Sequence, residues 1–151
     1  MQDFTFRVAG PNDIETIRQV VMAAYAKWVP VINREPLPMV ADYSEAIKTH
    51  RFDLLECGEE IVGLIETAPK EDHLWIENIA VRPDQQRNGF GTILIAKAEQ
   101  LAMDANLYEL RLLTNAAFES NIQLYEKTGF AVDRKVPFMG GITVYMSKKL
   151  K

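Results

Sequence analysis

The stretch Val81-Arg82-Pro83-Asp84-Gln85-Gln86-Arg87-Asn88-Gly89-Phe90-Gly91-Thr92 carries residue types whose spacing could do chemistry. It leaves an apolar, strand-like run, turns at Pro83-Asp84 and feeds into an amphipathic helix. Glycines at 89 and 91 let the backbone approach an anion closely and permit positive φ angles. The first N–H groups of a helix have no internal partner and lie at the positive end of its dipole. Together these features suit phosphate or pyrophosphate, with Arg87 as a cation at the rim. Two familiar phosphate loops do not fit: no Lys-Ser/Thr pair follows Gly91, and the third glycine of a dinucleotide fingerprint is missing. Taken alone, the same two glycines also suit a turn that only solves a packing problem.

The elements that must position this loop are set by hydrophobic period. Phe4, Phe6 and Val8 alternate with polar residues as a first strand. From Asn12 to Trp28 the residues Ile14, Ile17, Val20, Val21, Ala24, Tyr25 and Trp28 recur at helical spacing, and Pro30, Pro36 and Pro38 break the helix and its continuation. Met39–His50 reads as a second short helix. Arg51–Cys57 and Glu60–Ala68 read as a hairpin across Gly58-Glu59, and Leu74–Val81 as a further strand. The amphipathic helix Gly91–Asp104 comes next, then a strand at Leu110–Leu113, a helix at Asn121–Thr128 capped by Gly129, and two strands at Phe130–Val136 and Thr143–Lys148. The order β-α-α-β-β-β-α-β-α-β-β defines a mixed α+β domain, not a doubly wound parallel sheet.

Composition narrows the function classes. The 151 residues read as one domain, 1–151, with 48% hydrophobic and 25% charged residues, an ordinary globular mixture. A formal net charge of −4 argues against nucleic acid as the main partner and favours a cationic substrate. The single cysteine, Cys57, excludes an intrachain disulfide, and with two histidines it argues against a metal site. The N-terminus shows no signal-like segment and no run approaches the roughly 18 apolar residues of a membrane helix, so a cytoplasmic protein without membrane association is expected.

The pattern Val81-x-Pro83-x-x-Gln86-x-x-Gly89-x-Gly91 resembles the acyl-CoA loop of the GNAT superfamily of N-acyltransferases. Arg7-Val8-Ala9 with Asp13 resembles the usual opening of that superfamily, and Leu124-Tyr125-Glu126-Lys127-Thr128-Gly129-Phe130 its late helix-to-strand signature. The resemblance covers nearly the whole chain. It implies the GNAT fold: a central mixed, mostly antiparallel, twisted sheet of about seven strands, flanked by about four helices and splayed at the acyl-CoA site. It also implies acetyl-CoA as co-substrate and a small-molecule or peptide amine as acceptor, with a homodimer common among relatives. A non-catalytic acyl-CoA sensor of the same fold is the alternative.

Residue by residue, the resemblance implies that the backbone of Ile79, Ala80 and Val81 faces the pantetheine amides beside a bulge. Gln86, Arg87, Asn88, Gly89, Phe90, Gly91 and Thr92 would hold the pyrophosphate. Tyr125 would act as general acid toward the departing thiolate, and Glu77 as general base toward the amine. Strict alternation puts Glu77 on one strand face with Trp75 and Ile79, where partial desolvation would raise its pKa. Many relatives carry an asparagine seven residues before the tyrosine; here that position is Phe118. Asn121 and Asn115 are the nearest amides, and Asn121 also reads as a helix N-cap. Tyr25, Trp28 and the Asn33–Met39 segment fall where relatives build the acceptor pocket, with Asp42 and Tyr43 close behind. His50 and His73 read as surface residues flanking strands.

Overall fold

The computed structural model of the chain describes residues 3–86 and 88–151. Among them, seven strands form one sheet in the order β1-β2-β3-β4-β5-β7-β6. The strands are β1 (Thr5–Val8), β2 (Arg51–Cys57), β3 (Glu60–Pro69), β4 (Leu74–Val81), β5 (Glu109–Asn115), β6 (Ala131–Phe138) and β7 (Gly141–Lys149). Every neighbouring pair is antiparallel except β4 with β5, which run parallel.

Helices cover both faces because each has one apolar stripe to bury. On one face lies α1 (Ile14–Tyr25), which buries Ile17, Val20, Val21, Ala24 and Tyr25 against Phe52, Leu54, Leu64 and Ala80. A 3-10 turn, Ala26–Trp28, and a single helical turn, α2 (Val29–Ile32), prolong it. The second helix expected over Met39–His50 is split into α3 (Leu37–Val40) and α4 (Tyr43–Thr49). Ala41 is extended at ψ 150°, and the Asp42 carboxylate caps α4 by accepting from the N–H groups of Ser44 and Glu45. On the other face, α5 (Phe90–Asp104) and α6 (Glu119–Lys127) pack with Leu55, Val62, Ile65, Leu74, Ile76, Leu110 and Leu112. The late helix starts earlier than expected: Phe118 is its N-cap, so Asn121 lies within the first turn and is not the cap.

Two irregularities of β4 position the site. Along β3, Glu66 faces Asn78 while Thr67 faces Ile76, which leaves Glu77 as the extra residue of a bulge. The bulge exchanges the faces of the strand. Leu74 and Ile76 pack on the α5 side, whereas beyond Glu77 that side is taken by Ile79 and Val81, and Ala80 turns to the α1 side. The strict alternation expected from Trp75 to Ile79 therefore fails at Glu77. The second irregularity is a splay: β4 pairs with β5 at Leu74↔Leu110 and Trp75↔Arg111 and then diverges.

Candidate active site

The glycine loop opens α5 as its local chemistry dictates. Pro83–Gln85 forms one 3-10 turn, and Gly89 comes later as the helix N-cap, in the left-handed region at φ +80°. Phe90 is buried in the core beneath the helix, so its backbone, not its ring, faces the loop. Asn88 and Thr92 are exposed. The Gln86 side chain is already engaged: Nε2 donates to the carbonyl of Val81 at 3.0 Å, and Oε1 accepts from Lys27 Nζ at 2.9 Å. That bridge ties the loop to β4 and to the end of α1. Arg87, expected at the rim, lies outside the described residues.

The splay between β4 and β5 opens into two adjoining spaces. A groove of about 470 Å³ runs along Val81, Gly89, Gly91 and Thr92, with Lys27, Trp28 and Lys127 at its edges. A cavity of about 410 Å³ lies beside it, walled by Pro36, Leu37, Tyr43, His50, Glu66 and Glu77 among others. Tyr25, Ile79, Asn121 and Tyr125 line both. These four residues mark where anything held in the groove meets anything held in the cavity.

Tyr125 is 6% exposed, and burial raises its hydroxyl above the ordinary phenol range, so it stays protonated. Tyr25 is also held up by burial; its hydroxyl sits 3.0 Å from Asn78 Oδ1 and 3.3 Å from the Ile79 carbonyl. Trp28 lines the groove rather than the cavity and stacks on Phe118 with ring centroids 4.6 Å apart. Phe118 in turn walls the cavity, so the stacked pair stands between the two spaces. Asn115 is engaged locally, accepting from the Ala117 N–H at 2.9 Å ahead of α6. Glu77 lines the cavity but is exposed, without the desolvation expected from strand alternation; Trp75 Nε1 donates to its Oε1 at 2.8 Å.

Three polar residues of the cavity, Asn78, Glu66 and His50, escape sequence reasoning or are misplaced by it. Asn78, 4% exposed, links Tyr25 to Tyr43, whose hydroxyl lies 3.2 Å from Asn78 Nδ2 and donates to the Pro38 carbonyl at 2.6 Å. Glu66 is 3% exposed on β3, and burial raises its carboxyl despite the opposing pull of His50. His50 is therefore not a bland surface residue: its Nδ1 lies 2.6 Å from Glu66 Oε2. A lone carboxylate inside the apolar run Ile61–Ala68 is the one signal of this pair in the sequence.

The groove fits a CoA-type co-substrate. It presents a left-handed glycine at a helix N-terminus, flanking lysines, and a β4 edge freed from β5 beyond Trp75. The chain belongs to the Acetyltransferase (GNAT) family: its residues 17–130 match the model of that family. It is 31% identical over 112 aligned residues to spermidine N(1)-acetyltransferase of Escherichia coli (strain K12), covering 66% of this chain and 58% of that protein. It is 28% identical over 145 residues to mouse N-alpha-acetyltransferase 30, covering 86% of this chain and 39% of that protein. The chain thus spans about half the length of the curated relatives it matches. Among solved structures, PaiA N-acetyltransferase from Thermoplasma acidophilum, in complex with coenzyme A, superposes with a TM-score of 0.84 at 17% identity, covering 97% of this chain and 99% of that one. The ribosomal-protein-S18-alanine N-acetyltransferase from Escherichia coli gives a TM-score of 0.80 at 18% identity, covering 99% and 95%. At such identities the likeness is one of fold, and the fold is that of the GNAT family.

Proposed function

We propose that the chain transfers an acetyl group from acetyl-CoA to a primary amine by direct attack in a ternary complex. The observation that carries this reading is the junction of groove and cavity at Tyr25, Ile79, Asn121 and Tyr125. Two reactants held on either side of that junction would face each other, and such placement supplies much of the rate of a two-substrate reaction. The names of the relatives agree in kind: one acetylates spermidine and another is an N-alpha-acetyltransferase.

Acetyl-CoA supplies the thioester; the chain does the rest. The loop from Gln86 to Thr92 holds the pyrophosphate on backbone N–H groups, and the free edge of Ile79, Ala80 and Val81 receives the pantetheine arm as an added strand. An N–H freed by the bulge at Glu77 donates to the carbonyl oxygen as charge develops there. The amine nitrogen bonds to the carbonyl carbon as the carbon–sulfur bond breaks, and the Tyr125 hydroxyl protonates the leaving sulfur. Glu77, exposed where it lines the cavity, meets the incoming ammonium form first. Asn121, on both spaces, is placed to contact either reactant.

The test measures thiol release from acetyl-CoA by the full chain against 1,4-diaminobutane, benzylamine, free amino acids and short peptides. Thiol release with at least one amine is expected. Acetyl-CoA binding without release for any amine would leave a sensor of the same fold, and no binding at millimolar acetyl-CoA would remove both readings.

A further inference from the structure

An amine is mostly protonated near neutral pH, so the transfer proposed above needs a group that removes a proton before attack. That group must lie in the cavity, hold a proton more readily than an exposed carboxylate, and pass the proton on to water. Glu77 lies in the cavity and reaches water, but as an exposed carboxylate it fails the second requirement.

Glu66 and His50 meet all three. Glu66 projects into the cavity from β3, opposite Asn78 and next to the bulge. Its side chain is 4% exposed, so the carboxylate is poorly solvated and gains by taking a proton. His50, at the end of α4, touches it with Nδ1 2.6 Å from Oε2, and the imidazole is 25% exposed. One member of the pair faces the acceptor space while the other reaches solvent. Asn78 stands directly across from Glu66 in the β3–β4 register and accepts from the Tyr25 hydroxyl, and Tyr25 lines both groove and cavity, so the pair lies one residue from the junction. The other charged or titratable groups lining the cavity are Tyr25, Tyr43, Tyr125, Tyr145, Glu77 and Arg34. Tyr25, Tyr43 and Tyr125 are kept neutral by burial, and Arg34 is turned toward the Glu35 carbonyl at 3.3 Å.

We infer that Glu66 is the base that takes the proton of the acceptor ammonium and that His50 is the outlet through which this proton leaves. This rests on the transfer reading for its substrate. The ammonium N–H bond breaks as a Glu66 oxygen, directly or through one water, takes the proton. The Glu66 proton then passes from Oε2 to His50 Nδ1, and the imidazolium gives up its Nε2 proton to solvent. The amine keeps its electron pair for the thioester carbon; once bonded there, the nitrogen gives up a second proton that restores the Tyr125 hydroxyl. His50 resets by exchanging its Nδ1 proton for one at Nε2 through solvent, and each turnover releases one net proton. Glu77 attracts the cation but does not hold the proton.

The experiment measures kcat and KM across pH for the full chain with the best acceptor of the amine panel. Glu66→Gln should lower kcat by about 10²–10⁴, the range of a general base, with KM within threefold, and should abolish the acid limb of the profile. Glu77→Gln should instead raise KM for the amine with kcat nearly kept. His50→Gln should lower kcat about tenfold and regain activity with added imidazole, which a merely structural histidine would not do. Thermal melting of each variant, with acetyl-CoA binding as a second readout, separates loss of fold from loss of chemistry; the isosteric Gln keeps the volume at 66. A Glu66→Gln enzyme with kcat within threefold of the parent overturns the inference, as does a loss confined to KM. If the parent releases no thiol with any amine, the transfer reading fails, an outcome distinct from an active parent with an equally active variant.

Discussion

A methyl group on Gly91 would stand 2.8 Å from Leu124 Cδ2, so the bare glycine lets the first turn of α5 settle against α6. The two sequence signatures of the family meet at that contact. The obstructing atom is the tip of a flexible side chain, so Gly91→Ala should cost under about 1 kcal/mol and leave acetyl-CoA binding largely intact. Gly89 differs: nothing lies within 4 Å of the Cβ it lacks, but its φ of +80° disfavours any side chain. Gly89→Val should cost about 1–3 kcal/mol and weaken acetyl-CoA at least tenfold, because the helix entrance must reorganise. Paired melting and binding measurements on the two variants check the contrast; equal acetyl-CoA affinity in Gly89→Val and the parent would refute the loop assignment.

Tyr125→Phe removes one oxygen from a buried ring at the junction. If its hydroxyl protonates the leaving thiolate, kcat should fall by about 10²–10⁴ while acetyl-CoA affinity changes little. Because burial raises this phenol above the ordinary phenol range, the parent enzyme should show no alkaline limb from Tyr125 below about pH 10. A Phe variant with unchanged kcat removes Tyr125 from the chemistry.

Trp28 and Phe118 stack between groove and cavity. Trp28→Ala should lose about 1 kcal/mol of stability from the broken aromatic pair and raise the Kd for acetyl-CoA several-fold. Calorimetric titration with acetyl-CoA, at a temperature where the variant is folded, measures the second effect apart from the first. An unaltered Kd would show that Trp28 forms no part of the binding edge.

Tyr25, Tyr43 and Tyr125 all have their hydroxyls pushed up by burial. In the unfolded chain each ionises near about pH 10, while the folded chain keeps its protons. Above that pH the folded state binds more protons than the unfolded one. Stability is therefore full below about pH 10 and falls above it, by up to about 1.4 kcal/mol per pH unit per phenol. Urea unfolding at about pH 9, 10 and 11 should show this steepening, and Tyr43→Phe should flatten the slope even where it lowers overall stability. A parental slope no steeper than the variant's would contradict it.

Much of the fold is legible in the order of the residues. Arg51–Cys57 and Leu74–Val81 are strands with the expected bounds, and the helix after Gly89 starts within a residue of its expected place. Period and turn chemistry are written in neighbouring residues, which is why these elements and the glycine loop can be read locally. The proline-rich Asn33–Met39 segment borders the cavity, which Arg34, Pro36, Leu37 and Pro38 line. Helix starts near polar residues are less legible, since Phe118 rather than Asn121 caps α6.

By itself the sequence determined the order of elements, the glycine-opened helix entrance and the tyrosine of the late signature. Only the tertiary structure decided that Glu77 is the bulged residue and that Asn78 links two phenols across separate helices. It alone brought His50 against Glu66, sixteen positions away, in the same cavity as Glu77. The physical reason is that register belongs to a pair of strands. One extra residue in β4 reverses which side chains face each layer, and nothing local to Trp75–Ile79 announces it.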